Sequence, residues 1–183
     1  RVDGTHTIAR AMSALDPRPQ VLVSASAIGW YGDTGDRIVD ESAPAGQGFL
    51  ADVVRAWEAA AQPAASAGIR VVHPRTGLVV SGSGGAWARM FPLFKMGVGG
   101  RLGSGRQYWS WISLRDEVCA LQFLLEQPHL SGPVNLTGPD PVTNAEITRA
   151  MGTVLGRPTI LPVPAFALKA VLGEFASEVL GSA

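Results

Sequence analysis

Cysteine is almost missing from this sequence: Cys119 stands alone in 183 residues. That excludes an internal disulfide framework and fits a reducing, cytoplasmic compartment. Set in an apolar helical run, Cys119 is expected to be a buried structural thiol. Charge is scarce as well. Fifteen basic and fifteen acidic residues leave a net charge of zero. With no Lys/Arg cluster, neither nucleic acid nor a membrane surface has an electrostatic footprint here. No apolar run reaches the ~18 residues a spanning helix needs, and no signal-peptide pattern opens the chain. The three histidines, His6, His73 and His129, lack metal-ligand spacing, so no metal site is expected. Neither GxxxxGK[ST] nor GxGxxG occurs, and Ser26 runs into Ala27-Ile28 instead of forming GxSxG.

What is present reads as alternating helix and strand. Asp3 can cap a helix with the stripe Thr5, Ile8, Met12 and Leu15, stopped at Asp16-Pro17. Val21-Leu22-Val23 reads as a buried strand, followed by a Gly/Asp-rich loop over 32–48. A helix over 48–61 then sets Leu50, Val53, Val54, Trp57 and Ala61 against a polar face of Arg55, Glu58 and Gln62, with Pro63 kinking or ending it. A second buried strand spans 69–73. Helix, strand, helix, strand without a hairpin signal is the pattern of a parallel α/β sheet. Residues 1–80 are expected to be part of a dinucleotide-binding domain, and 81–183 mainly a smaller α+β lobe whose strands can return to the sheet.

In that second half a helix is expected over 86–96 and a strand over 108–112, with Trp109 and Trp111 facing one side. Ser113 and Asp116 form a capping-box pattern ahead of a helix with Val118, Leu121 and Leu125 inward. A short strand over 132–136 follows. Thr143 and Glu146 make a second capping box, with the stripe Ile147, Ala150, Met151 and Val154, and a small helix is expected over 165–173.

Ligands of open parallel sheets lie beyond the carboxyl ends of the strands. Two such ends are readable: Ser24-Ala25-Ser26 running into Trp30-Tyr31, and His73 through Arg75 and Thr76 to Gly77. A serine hydroxyl there can bond a ligand or cap a turn, and Arg75 can pair with a phosphate or with a carboxylate. Trp109 beside Arg101 and Arg106 can line a pocket or fill a core.

These residues resemble a known family. VSASAIGWYG (23–32), GFLADVVRAWEAAA (48–61), RTGLVVSGSGGA (75–86), GRLGSGRQYWSWIS (100–113) and 141–174, after RVDGT (1–5), together look like an atypical extended short-chain dehydrogenase/reductase. The subgroup is the epimerase-like branch of the NAD-dependent epimerase/dehydratase superfamily, with its distinctive C-terminal domain. The resemblance implies a Rossmann-type sheet, NADP or NAD as cofactor and a small-molecule substrate, with a homodimer possible. It places the active-site serine at Ser26 and the cofactor contacts at Ala25, Arg75, Thr76 and Gly77. Arg106 and Trp109 become candidate substrate contacts.

Two departures accompany it. The first βαβ unit, with its pyrophosphate loop, is expected upstream of Arg1. The superfamily's Tyr-x-x-x-Lys pair should fall on the 48–61 helix, where Phe49 and Val53, or Leu50 and Val54, stand instead. Without that pair the acid–base chemistry is non-standard, with Tyr31 the best substitute. The alternative is an NADP(H)-binding sensor or scaffold without turnover.

Overall fold

The computed structural model describes residues 1–160 and 162–163, which form two compact units. The expected helix over 165–173 lies outside the described residues. The first unit comprises Arg1–Gly32, Ile38–Gly77 and Arg115–Leu136; the second comprises Asp33–Arg37, Leu78–Leu114 and Thr137–Ala183. No helix among the described residues is long and apolar enough to cross a membrane.

The first unit is a parallel sheet built on β3 (Arg70–Thr76), which has β1 (Val21–Val23) and β2 (Ser26–Ala27) on one side and β7 (Gly132–Leu136) on the other. The strand predicted over 69–73 therefore continues through Pro74. That proline explains a break in its neighbour. The Val72 carbonyl accepts from the Ser24 amide, so residues 72 and 74 both turn their backbone groups toward that side. Proline has no N–H to give, and the ladder stops between β1 and β2 before Ser26 resumes opposite Arg75.

Helices α1 (Val2–Ser13), α2 (Phe49–Ala59), α3 (Gln62–Ser66) and α5 (Leu114–Glu126) complete the unit, with Pro63 in the first turn of α3 as expected of a helix start. Their buried faces differ from the apolar stripes read in sequence. In α1 the fully buried residue is Ala9, packed with Ala64 and Ile69, while Ile8 is 55% exposed. In α5 the buried residues are Glu117 and Leu124; Val118 and Leu125 are exposed, and so is Cys119, which corrects its expected burial. In α1 a small side chain lets the helix approach its neighbour closely, so the tightest contact went to Ala9 and the bulkier Ile8 was left on the flank. Arg70 fixes the end of α5 by donating to the carbonyls of Leu124 and Leu125 in its last turn, where orphan helix carbonyls and the dipole favour a cation, and to that of Leu130 beyond it.

The second unit contains β4 (Leu78–Val80) parallel to β6 (Trp111–Ser113), β5 (Tyr108–Trp109) antiparallel to β8 (Val142–Thr143), and helices α4 (Gly85–Lys95) and α6 (Asn144–Leu155). The predicted strand over 108–112 is thus two strands in two sheets, so Trp109 and Trp111 do not share one. Trp109 is buried and meets Trp87 edge-on at 6.2 Å. The Thr143–Glu146 capping box forms as read, but α6 buries Asn144, Thr148 and Gly152 and leaves Val154 81% exposed.

One glycine is sterically fixed. The Gly46 amide donates to the Trp30 carbonyl, and a Cβ at Gly46 would lie 2.1 Å from the Tyr31 carbonyl oxygen. Gly46→Ala is expected to push the 32–48 loop off Trp30-Tyr31 and cost about 1–3 kcal/mol. Urea unfolding of the two proteins checks this; equal midpoints would contradict the close approach.

Candidate functional site at the strand ends

The polar centre of the first unit is built around Arg75. It points to the α2 side of β3, while the next residue, Thr76, points to the α5 side. Arg75 is 2% exposed. Its Nε and Nη2 donate to Glu58 Oε1 and Oε2 at 2.9 and 3.0 Å, the two-point geometry that suits a planar guanidinium. Its Nη1 donates to the Tyr31 hydroxyl at 3.1 Å, and its carbon lies 3.9 Å from the centre of the Trp30 ring. Trp30 and Tyr31 belong to the 3-10 turn Ile28–Tyr31 that follows β2.

Glu58 gathers the site from α2. Besides Arg75, its Oε1 accepts from Ser26 Oγ at 2.6 Å. Burial pushes the Glu58 carboxyl up, but the hydrogen bonds from Arg75 and Ser26 and the Arg75 charge outweigh it, and the net shift is downward. Burial holds the Arg75 guanidinium down, while Glu58 and Tyr31 more than offset it, so Arg75 stays protonated. Tyr31 in turn donates to Asn135 Oδ1 on β7 at 2.7 Å, and the Asn135 amide donates to Glu41 Oε1. His73 lies on the same face of β3; burial lowers its pKa against the pull of Glu58, favouring neutral imidazole.

A second carboxylate occupies the opposite face of β3. Glu117 on α5 is buried and accepts from Thr76 Oγ1 at 2.8 Å through one oxygen, while its Oε2 is buried without a partner. Burial pushes this carboxyl up, with Thr76 opposing in part.

The sequence-predicted residues separate under this geometry. Ser26, Tyr31 and Arg75 form one network, and Thr76 and Gly77 end β3 beside it, with Ala25 exposed at the break in the neighbouring strand. The contacts that Arg75 makes in the structure are within the protein, with Glu58, Tyr31 and Trp30. Arg106 lies in the second unit on a cavity of about 530 Å³ also lined by Asp33, Asp36, Arg101, Ser104 and Tyr108. Trp109 does not line that cavity and belongs to the aromatic core.

Glu58 is the residue sequence reasoning missed, having been assigned to the polar face. A signal existed: Ala51, Val54, Glu58 and Ala61 recur at 3-, 4- and 3-residue steps, and the other three are buried. Of the two registers considered for a Tyr-x-x-x-Lys pair, Leu50 and Val54 face the turn, within 3.9 Å of a Cβ placed on Gly29, and Phe49 is exposed. No group of three or more potential metal ligands occurs among the described residues.

Comparison with known proteins gives a consistent likeness. No protein-family model matches the chain. It is 56% identical, over 98% of its length, to an epimerase family protein of Mycobacterium bovis. The crystal structure of human epimerase family protein SDR39U1 with NADPH superposes with a TM-score of 0.92 at 32% identity, over 98% of this chain and 61% of that one. A nucleoside-diphosphate sugar epimerase of Corynebacterium glutamicum gives 0.78 at 35% identity, over 94% of this chain and 38% of that one. The chain spans 59% of the length of the mycobacterial relative.

The two carboxylates should respond oppositely to pH. Glu58, with its pKa lowered on folding, stabilises the protein above the unfolded carboxylate value of ~4.3, and this is lost as pH falls through the lower folded value. Glu58→Ala should cost about 3–5 kcal/mol at pH 7 by leaving Arg75 buried and unpaired. Glu58→Gln should cost less and flatten the stability profile below about pH 5. Glu117, raised on folding, loses stability as pH rises from the unfolded value, so Glu117→Gln should unfold at higher temperature than wild type at pH 7. Thermal melts between pH 3 and 8 measure all of these, and a Glu117→Gln protein that melts lower at neutral pH would refute the second assignment.

Proposed function

We propose that the chain belongs to the NAD-dependent epimerase/dehydratase superfamily of short-chain dehydrogenases/reductases and is part of an NAD(P)-dependent epimerase-like protein with a non-standard acid–base centre, a reading its likeness to the epimerase family proteins supports. The observation that carries this reading is the cluster at the carboxyl ends of β2 and β3. Ser26 stands opposite Arg75 in register, with Thr76 and Gly77 directly after it. This is where open parallel sheets take their ligands.

The residues present fit one end of a dinucleotide. Exposed Ala25, with Thr76 and Gly77, offers small side chains and backbone beside which a flat ring can lie, next to Ser26. No glycine-rich strand-to-helix loop occurs among the described residues, so the pyrophosphate grip falls to the part of such a protein beyond this match. When bound, the dinucleotide supplies reversible hydride transfer. The chain's own contribution is orientation: Arg75 and Glu58 hold Ser26 and Tyr31 in fixed directions in a site largely closed to water. The cavity bearing Arg101 and Arg106 is the proposed seat of substrate contacts in the second unit, and a homodimer remains part of the same proposal.

A specific observation favours a second reading, dinucleotide binding without turnover. Both candidate acids have spent their protons inside the protein, Ser26 on Glu58 and Tyr31 on Asn135. A phenol that donates to an amide must give up that bond to serve a substrate as an acid, although it can keep accepting from Arg75.

Calorimetric titration of the full-length protein with NADPH and NADH is expected to show saturable binding, and a flat trace with both would end the cofactor proposal. If Tyr31 is the acid, Tyr31→Phe should lower turnover on an identified substrate by about 10²-fold or more. Unchanged turnover rejects that role, and binding with no turnover on any epimerase or dehydrogenase substrate supports the second reading.

A further inference from the structure

The direction of one proton restricts what the site can hold. The Ser26 hydroxyl has one proton and two lone pairs. Its bond to Glu58 Oε1 measures 2.6 Å, and the serine must be the donor, because Arg75 bonds both Glu58 oxygens and keeps the carboxylate charged. Turning the hydroxyl toward a ligand carbonyl would break a charge-assisted bond in a buried site, where Ser26 is 5% exposed and the Glu58 side chain 11%. Nor can Glu58 move aside to release it, for its other oxygen is tied to Arg75 Nη2, and Arg75 is held against Trp30 and Tyr31. What Ser26 retains for a ligand is its lone pairs.

We infer that Ser26 acts on its ligand only as a hydrogen-bond acceptor, so the substrate group seated on it is a hydroxyl and not a carbonyl. A serine with a free proton bonds either member of an alcohol/ketone pair; one locked onto Glu58 distinguishes them. Glu58 is the positioning residue that creates this selectivity, and Ser26 is the residue that exerts it. The inference rests on the proposed function for a ligand being present at these strand ends, and it specifies the chemical class of that ligand.

The test uses the ¹⁵N-labelled full-length protein, with and without saturating NADP⁺, titrated with cyclohexanol and separately with cyclohexanone as matched probes. Cyclohexanol is expected to bind about fivefold more tightly, the worth of one hydrogen bond, and to shift the amide signals of Ser26 and Glu58. Ser26→Ala should erase the preference and Ser26→Thr should restore it. Equal or tighter binding of the ketone overturns the inference, as does the absence of a shift at Ser26 with either probe, or a preference that survives Ser26→Ala. A Ser26→Ala protein that binds NADP⁺ itself about fivefold more weakly would assign the donor to the cofactor's carboxamide, and the alcohol reading would fall. If NADP⁺ does not bind at all, the cofactor proposal fails, while the probe titrations of the free protein still decide the role of Ser26.

Discussion

The buried pair of Arg75 and Glu58 is the constraint on which the polar centre of the first unit depends. An arginine 2% exposed in the middle strand of a sheet is tolerable only with its charge neutralised and its donors occupied. Glu58 does both with two short bonds, and the Trp30 ring covers one face of the guanidinium. Ser26, Tyr31 and, through Tyr31, Asn135 take their orientations from this pair. Such a pair is weak support for net stability, since desolvation consumes much of the attraction. Its value is that it ties β2, the following turn, α2, β3 and β7 together in one geometry.

The sheet carries a carboxylate on each face, and the two are unlike. Glu58 meets a cation and stays charged. Among the described residues Glu117 accepts from the Thr76 hydroxyl, and burial raises its pKa. Because Arg75 and Thr76 are adjacent in β3, one strand end meets a carboxylate held charged on one side and a carboxyl whose pKa burial raises on the other. A strand whose neighbouring residues point oppositely makes this possible with no additional segment.

Much of the architecture was legible in the sequence. The parallel α/β arrangement, the break in the helix at Pro63 and the Thr143–Glu146 capping box all follow from local chemistry. The helix faces were not legible to the same degree. Ile8, Val118 and Val154 were assigned inward by hydrophobicity, whereas Ala9, Glu117 and Thr148 occupy the buried positions. Periodicity marks a face only to within a residue or so, and the neighbours met in the fold then choose the buried residue: a closely packed helix for Ala9, the Thr76 hydroxyl for Glu117. The single strand read over 108–112 failed for a related reason, since strand partners, and not the alternation of residues, decided where one sheet ended and the next began.

By itself the sequence determined the fold class, the likeness to the epimerase-like dehydrogenases and the lack of a Tyr-x-x-x-Lys pair on α2, because each is written in residue type and spacing. Tertiary structure alone decided what Ser26, Tyr31 and Arg75 do to one another. Glu58 is 17 residues from Arg75 and 32 from Ser26, and Asn135 is 104 from Tyr31. No local pattern encodes contacts at that range. They arise when β3 is placed between two strands and under a helix, and the charge of one buried arginine then dictates where the neighbouring protons point.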